Sequence, residues 1–248
     1  MADYDSNRII RGQVGAQAGV IDAGLRAYML RVYNYMLVGL GLTGATAWIT
    51  ANTSLRELFF VYVPQGHGYG LTMLGMIAIF APLGLVLLLS FRINRMSVGA
   101  AQAMFWAYAG LIGISVASIL LNFTGESVAR VFFITAATFG AMSLWGYTTK
   151  RDLTGFGSFL FMGLIGIIIA MLVNMFLQSS MMQFVISVLG VLIFTGLTAY
   201  DTQNIKDMYV ASDDGTVAGR KSIIGALRLY LDFVNLFFML IQLFGNRR

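Results

Sequence analysis

Seven long apolar runs separated by short polar joints organise this 248-residue chain, at about 28–50, 70–91, 97–121, 128–149, 157–177, 182–205 and 224–244. A helix needs about 20 mostly apolar residues to cross a hydrocarbon layer about 30 Å thick, and every run meets that length. Inside such a layer each backbone N–H and C=O must be bonded within the segment, so an open-ended span has to be a helix. The runs therefore predict an all-α polytopic membrane protein with seven transmembrane helices. Only 11% of the residues are charged and 58% are hydrophobic, against about 25% and 45–50% in soluble domains. That balance excludes a soluble globular domain, and the joints leave no room for a separate one. Residues 1–27 read as a polar cytoplasmic tail, 28–245 as the membrane domain and 246–248 as a short end. The tail has no apolar core of the kind a cleaved leader carries, so the first run is expected to act as an uncleaved signal.

Lys and Arg sort by side if the N-terminus is cytoplasmic. Arg8, Arg11, Arg26, Arg31, Arg92, Arg95, Lys150, Arg151, Lys206, Arg220 and Lys221 then fall inside, whereas Arg56, Arg130, Arg247 and Arg248 fall outside. Cytoplasmic loops carry the basic excess, which places the N-terminus in and the C-terminus out. The bases are scattered over loops without a basic run, so the net charge of +5 reports orientation rather than nucleic-acid binding. There are no cysteines and one histidine, His67, in a Gly-rich joint. Disulfides, thiolate zinc sites and multi-histidine metal sites are thereby excluded, and no cofactor is expected. Trp48, Trp145 and Tyr147 stand near run ends as interfacial anchors. Pairs of small residues one turn apart, Gly41 and Ala45, Ala109 and Gly113, Ala136 and Gly140, permit close helix contact. Pro82 predicts a kink in the second span, because it removes one backbone hydrogen bond.

Of the eleven acidic residues, only Asp201 and Asp232 sit within apolar runs. A carboxylate at membrane depth is expensive and marks a functional site by default. Asp201 lies about five residues, or 7 to 8 Å, before Lys206 on the sixth span, and Asp232 lies about 12 Å into the seventh. Consecutive spans run antiparallel from one shared loop, so the two carboxyls can reach similar depth. If their faces meet, they share one proton and titrate in two separated steps, a proton switch built without histidine. Loss of that proton sets up repulsion between two helices, or a cation site between them. Arg228, one turn before Asp232, offers the simpler reading of a structural ion pair. Arg92 and Arg95, at the inner end of the second span, are alternative latches for Asp201.

Tyr200-Asp201-Thr202-Gln203, followed by Ala226-Leu227-Arg228-Leu229-Tyr230-Leu231-Asp232-Phe233-Val234-Asn235-Leu236-Phe237, resembles the signature of the transmembrane Bax inhibitor motif family in its bacterial branch. The likeness covers roughly residues 28 to 245. It implies a seven-helix fold with the last helix central in the bundle. It also implies a calcium leak channel in a bacterial inner membrane, regulated by pH through two aspartates that correspond to Asp201 and Asp232. In that family a basic residue near the end of the second helix pairs with the first aspartate, and Arg92 or Arg95 is the nearest match here. Two departures stand out: Arg228 occupies a position that is not generally basic in the family, and the run around Pro82 has no acid where some relatives carry one.

Other functions make different demands. An intramembrane aspartyl protease also pairs a Tyr-Asp with a second Asp, but its second acid follows Gly-x-Gly-Asp, and here it follows Leu229-Tyr230-Leu231. Its Pro-Ala-Leu motif is missing too, since the prolines are Pro64 and Pro82. A retinal protein needs a mid-helix lysine for its Schiff base, yet Lys150, Lys206 and Lys221 stand at run ends. A serine intramembrane protease needs a helical histidine. No enzyme activity is expected. The rivals to a channel are a non-conducting regulator that binds another membrane protein or a protease, and a proton-coupled exchanger.

Overall fold

The structure is a computed structural model and describes residues 2–63 and 68–248. His67 and Pro64 lie outside the described residues. In chain order the elements are α1 (Ala2–Asn52), α2 (Leu55–Phe59), β1 (Phe60–Val63), β2 (Gly68–Leu71), α3 (Met73–Arg92), α4 (Val98–Asn122), α5 (Gly125–Thr148), α6 (Thr154–Leu177), α7 (Ser180–Asp207) and α8 (Gly215–Phe244), with one 3-10 turn at Ile93–Arg95. The described chain is thus nearly all helical. Five of its helices, α4 to α8, are long and apolar enough to cross a membrane, and α3 carries a shorter apolar stretch, Met73–Leu89.

Side-chain oxygens set many of the helix starts. Thr72, Ser97, Thr124, Ser179 and Asp214 each accept a hydrogen bond from a backbone N–H of the first turn, which satisfies donors that no helical carbonyl can reach. The expected start of the second span near residue 70 moves to Met73 for this reason. Thr72 caps the helix, while Gly68–Leu71 pairs antiparallel with Phe60–Val63, where β-branched and aromatic residues favour an extended chain. α3 continues through Pro82. The first apolar run is the C-terminal part of α1, one helix from Ala2 to Asn52.

α8 is the central helix. It packs on α1, α4, α5 and α7, and 72% of its most apolar window is buried against 17% for α6. A helix so enclosed can carry polar groups without presenting them to lipid. Around it, glycines set the closest approaches. Gly113 on α4 lies against α1, where an added Cβ would fall 2.7 Å from the Thr43 carbonyl oxygen, and Gly146 on α5 lies against the backbone of Ala199 on α7. Gly41 and Gly140 face open space instead, so small residues one turn apart are necessary for close packing but do not locate it. Trp48 and Trp145 are exposed on the bundle surface, as interfacial anchors should be.

Candidate functional site

α7 and α8 are antiparallel neighbours, joined by the polar turn 208–214. Asp201 stands six residues before the end of α7, and Asp232 stands in the middle of α8. Both are buried, at 7% and 4% exposure. Both side chains line one cavity between the two helices. Asp232 Oδ2 is buried and receives no hydrogen bond from any other group of the described protein. The hydroxyls on α7 next to Asp201 are already committed, since Thr198 Oγ1 donates to the Phe194 carbonyl and Thr202 Oγ1 to the Thr198 carbonyl, at 2.8 and 2.7 Å. Two ionised carboxylates are acceptors only, so a bond between them exists only in a state that keeps a proton.

One cation faces the pair. Arg228 Nη1 donates to Asn204 Oδ1 at 2.8 Å and lies 3.9 Å from Asp201 Oδ1. Although Arg228 and Asp232 are one turn apart on one helix, the ion pair crosses to the neighbouring helix. The side chain is long enough to reach over the α7–α8 seam, and Asn204 on the next turn of α7 holds it there. Arg92 and Arg95 are exposed, and neither makes an ion pair among the described residues. α3 packs on α4.

The pair lines a cavity of about 900 Å³ enclosed by α3, α4, α6, α7 and α8. On α8 the lining residues are Arg228, Leu231, Asp232, Asn235, Phe238, Met239 and Gln242, the three- and four-residue spacing of one helix face. From Arg228 to Gln242 that face runs about 21 Å at 1.5 Å per residue. Gln183, Ser115 and Ser118 add polar atoms from the other walls. The amide nitrogen of Asn235 is bonded to the Leu231 carbonyl at 2.9 Å, which leaves its oxygen as an acceptor. Asn204 and Asn235 were not singled out from the sequence, yet each follows an aspartate by three residues. Reading the face of each acid, rather than the acid alone, would have found them.

The sequence profile of the family described as Inhibitor of apoptosis-promoting Bax1 matches residues 25–248. The chain belongs to the Bax inhibitor-1-like family. The profile of this Bax inhibitor-1-like family thus spans Asp201, Asp232 and the whole cavity. Relatives include a Caulobacter vibrioides protein, 49% identical over 231 residues and covering 92% of each chain. The inner membrane protein YbhL of Escherichia coli is 47% identical over 229 residues, which is 91% of this chain and 94% of that one. A Streptococcus pyogenes membrane protein is 36% identical over 226 residues, 91% of this chain and 95% of that one. With its long apolar helices and relatives so named, this Bax inhibitor-1-like protein is a membrane protein.

Proposed function

We propose that the protein is a pH-sensitive cation leak channel of a bacterial inner membrane, with calcium as the ion implied by the family resemblance. In this reading α1 and α3 complete seven spans with α4 to α8, the N-terminus is cytoplasmic and the C-terminus is outside. The observation that carries the reading is the pair of buried carboxyls, one from each of two neighbouring helices, on the wall of a cavity that follows α8 for about 21 Å, most of a layer about 30 Å thick. A tightly held calcium takes about 6–8 oxygens. Two carboxyls with the amide oxygens of Asn204 and Asn235 offer six at most, the low end of that range, and the Asn204 oxygen is already held by Arg228, which suits passage better than retention.

The gate follows from charge. With the Asp201 carboxyl ionised, the Arg228 guanidinium stays beside it and stands as a positive charge in the path of a cation. Acidification protonates the carboxyls and removes the attraction that keeps Arg228 there. Its long stem can then carry the charge toward water at the basic end of α8, so leak rises as pH falls. Arg228 takes the latch role that the family resemblance assigns to a second-helix base.

Purified protein in liposomes that enclose a calcium dye tests this across pH. The parent is expected to leak more at acid pH, and Asp201→Asn and Asp232→Asn are each expected to flatten that dependence. Flux that keeps its pH dependence in both variants overturns the two-aspartate gate, and no flux at any pH points to a non-conducting regulator. Arg228→Gln is expected to raise the leak at neutral pH roughly tenfold, from about 1.5 kcal/mol for its bond to Asn204, the low end for a charged donor. The low end applies because the guanidinium is 43% exposed and partly screened. A neutral-pH leak equal to the parent's removes Arg228 from the gate.

A further inference from the structure

A second cavity, of about 530 Å³, lies between α1 and α5 and shares no lining residue with the aspartate cavity. α1 packs on α4 and α8, whereas α5 packs on α7 and α8, so the two helices flank a groove with α8 behind it. Its floor is apolar in effect. The polar atoms there are spent on each other, Tyr33 Oη with Ser143 Oγ at 2.6 Å and Ser143 Oγ with Thr202 Oγ1 at 2.9 Å. Phe139 forms the deeper wall. Gly140 leaves the middle open, since nothing lies within 4 Å of a Cβ placed on it. The rims, Leu30 and Leu144, are exposed, so the groove opens sideways, toward lipid in a membrane-embedded bundle.

One end of the groove is basic. Arg26 lines it and makes no ion pair among the described residues. Tyr147 lines the same end, with the Lys206 ammonium 5.6 Å from its ring centroid and 3.0 Å from its carbonyl oxygen. Lys150 and Arg151, three and four residues after Tyr147, are exposed. The nearby acids do not cancel this charge. Asp213 pairs with Lys221, which leaves Asp22, Asp152 and Asp207 against Arg26, Lys150, Arg151 and Lys206.

We propose that this groove binds one anionic phospholipid, its acyl chain laid over Gly140 against Phe139 and its phosphate held at the Arg26 and Tyr147 end. An apolar trough that opens to lipid selects a hydrocarbon chain, and the basic end selects a negative headgroup over a zwitterionic one. The bound chain braces the helices that carry the aspartates. Phe139 meets Phe233, the neighbour of Asp232, edge to face at 5.5 Å, and Ser143 is bonded to Thr202, the neighbour of Asp201. The site stands whether or not the protein conducts ions.

The test uses the full chain purified in a mild detergent and supplied with phosphatidylglycerol or with phosphatidylcholine of the same acyl chains. Native mass spectrometry counts the retained lipid, and thermal unfolding reads its effect. One phosphatidylglycerol is expected to stay bound and to raise the Tm, while phosphatidylcholine does neither. Gly140→Leu fills the trough and is expected to lose the retained lipid and the Tm gain, while its lipid-free Tm matches the parent's. Arg26→Gln, an exposed change that leaves the trough intact, is expected to weaken retention about fivefold, the effect of roughly one interfacial base. Equal retention of both lipids, or phosphatidylglycerol retention undiminished in both variants, overturns the proposal.

Discussion

Gly146→Ala is expected to cost at least about 3 kcal/mol, the upper part of the usual overpacking range, although only one methyl group is added. At most sites that methyl is tolerated, and in a helix it even improves backbone propensity. Here the new Cβ would lie 2.8 Å from the Ala199 Cα and closer still to its carbonyl oxygen. Both are backbone atoms of α7, so no rotamer change relieves the clash and the helices must separate. Asp201 lies two residues beyond Ala199, and any separation of α5 from α7 carries the carboxyl with it. Gly41→Ala is the control, because nothing lies within 4 Å of its Cβ, and its effect should stay within about 0.5 kcal/mol. Thermal unfolding of the purified variants checks both. A Gly146→Ala protein with the parental Tm would show that α5 and α7 do not touch at this residue.

Tyr230→Ala is expected to cost about 3–5 kcal/mol, as for other buried aromatics cut to alanine. Tyr230 is fully buried in the middle of α8 and joins three helices. Its ring meets Phe105 and Tyr108 of α4 edge to face, at 5.7 and 5.8 Å, and its hydroxyl lies 2.6 Å from Thr43 Oγ1 of α1. Thr43 has one proton and two carbonyls within reach, Ala109 at 2.9 Å and Gly39 at 3.0 Å, so Tyr230 is the donor between the two hydroxyls. Tyr230→Phe therefore leaves the Thr43 proton with a partner and should cost only about 1 kcal/mol, the worth of one neutral hydrogen bond. The contrast separates ring packing from the bond. Equal losses of Tm for the two variants would show that the hydroxyl, not the ring, holds α8 in place.

The helices were legible in the sequence because an apolar run long enough to span lipid has one backbone solution, and four of the runs agree closely with α4 to α7. The second run misled by a few residues at its start. Hydropathy does not distinguish the strand Gly68–Leu71 from a helical turn, whereas the Thr72 cap does. The place of Asp201 near the end of its helix was legible, but Asp232 was counted from an apolar start at 224, whereas α8 begins at Gly215 and holds Asp232 in its middle. The turn of both into one cavity was not legible. The partner of Arg228 was the hardest to read, because spacing along one helix favours Asp232, while the side chain reaches Asn204 and Asp201 on the next.

Chemistry along the chain was enough to decide that helices form and that two acids must be sheltered among them. Rotation of each helix about its own axis was decided only by packing. α7 is apolar nearly all round and has no face that its own sequence prefers to bury, so contacts such as Gly146 on Ala199 select its rotation. That choice turns the two carboxyls into one cavity.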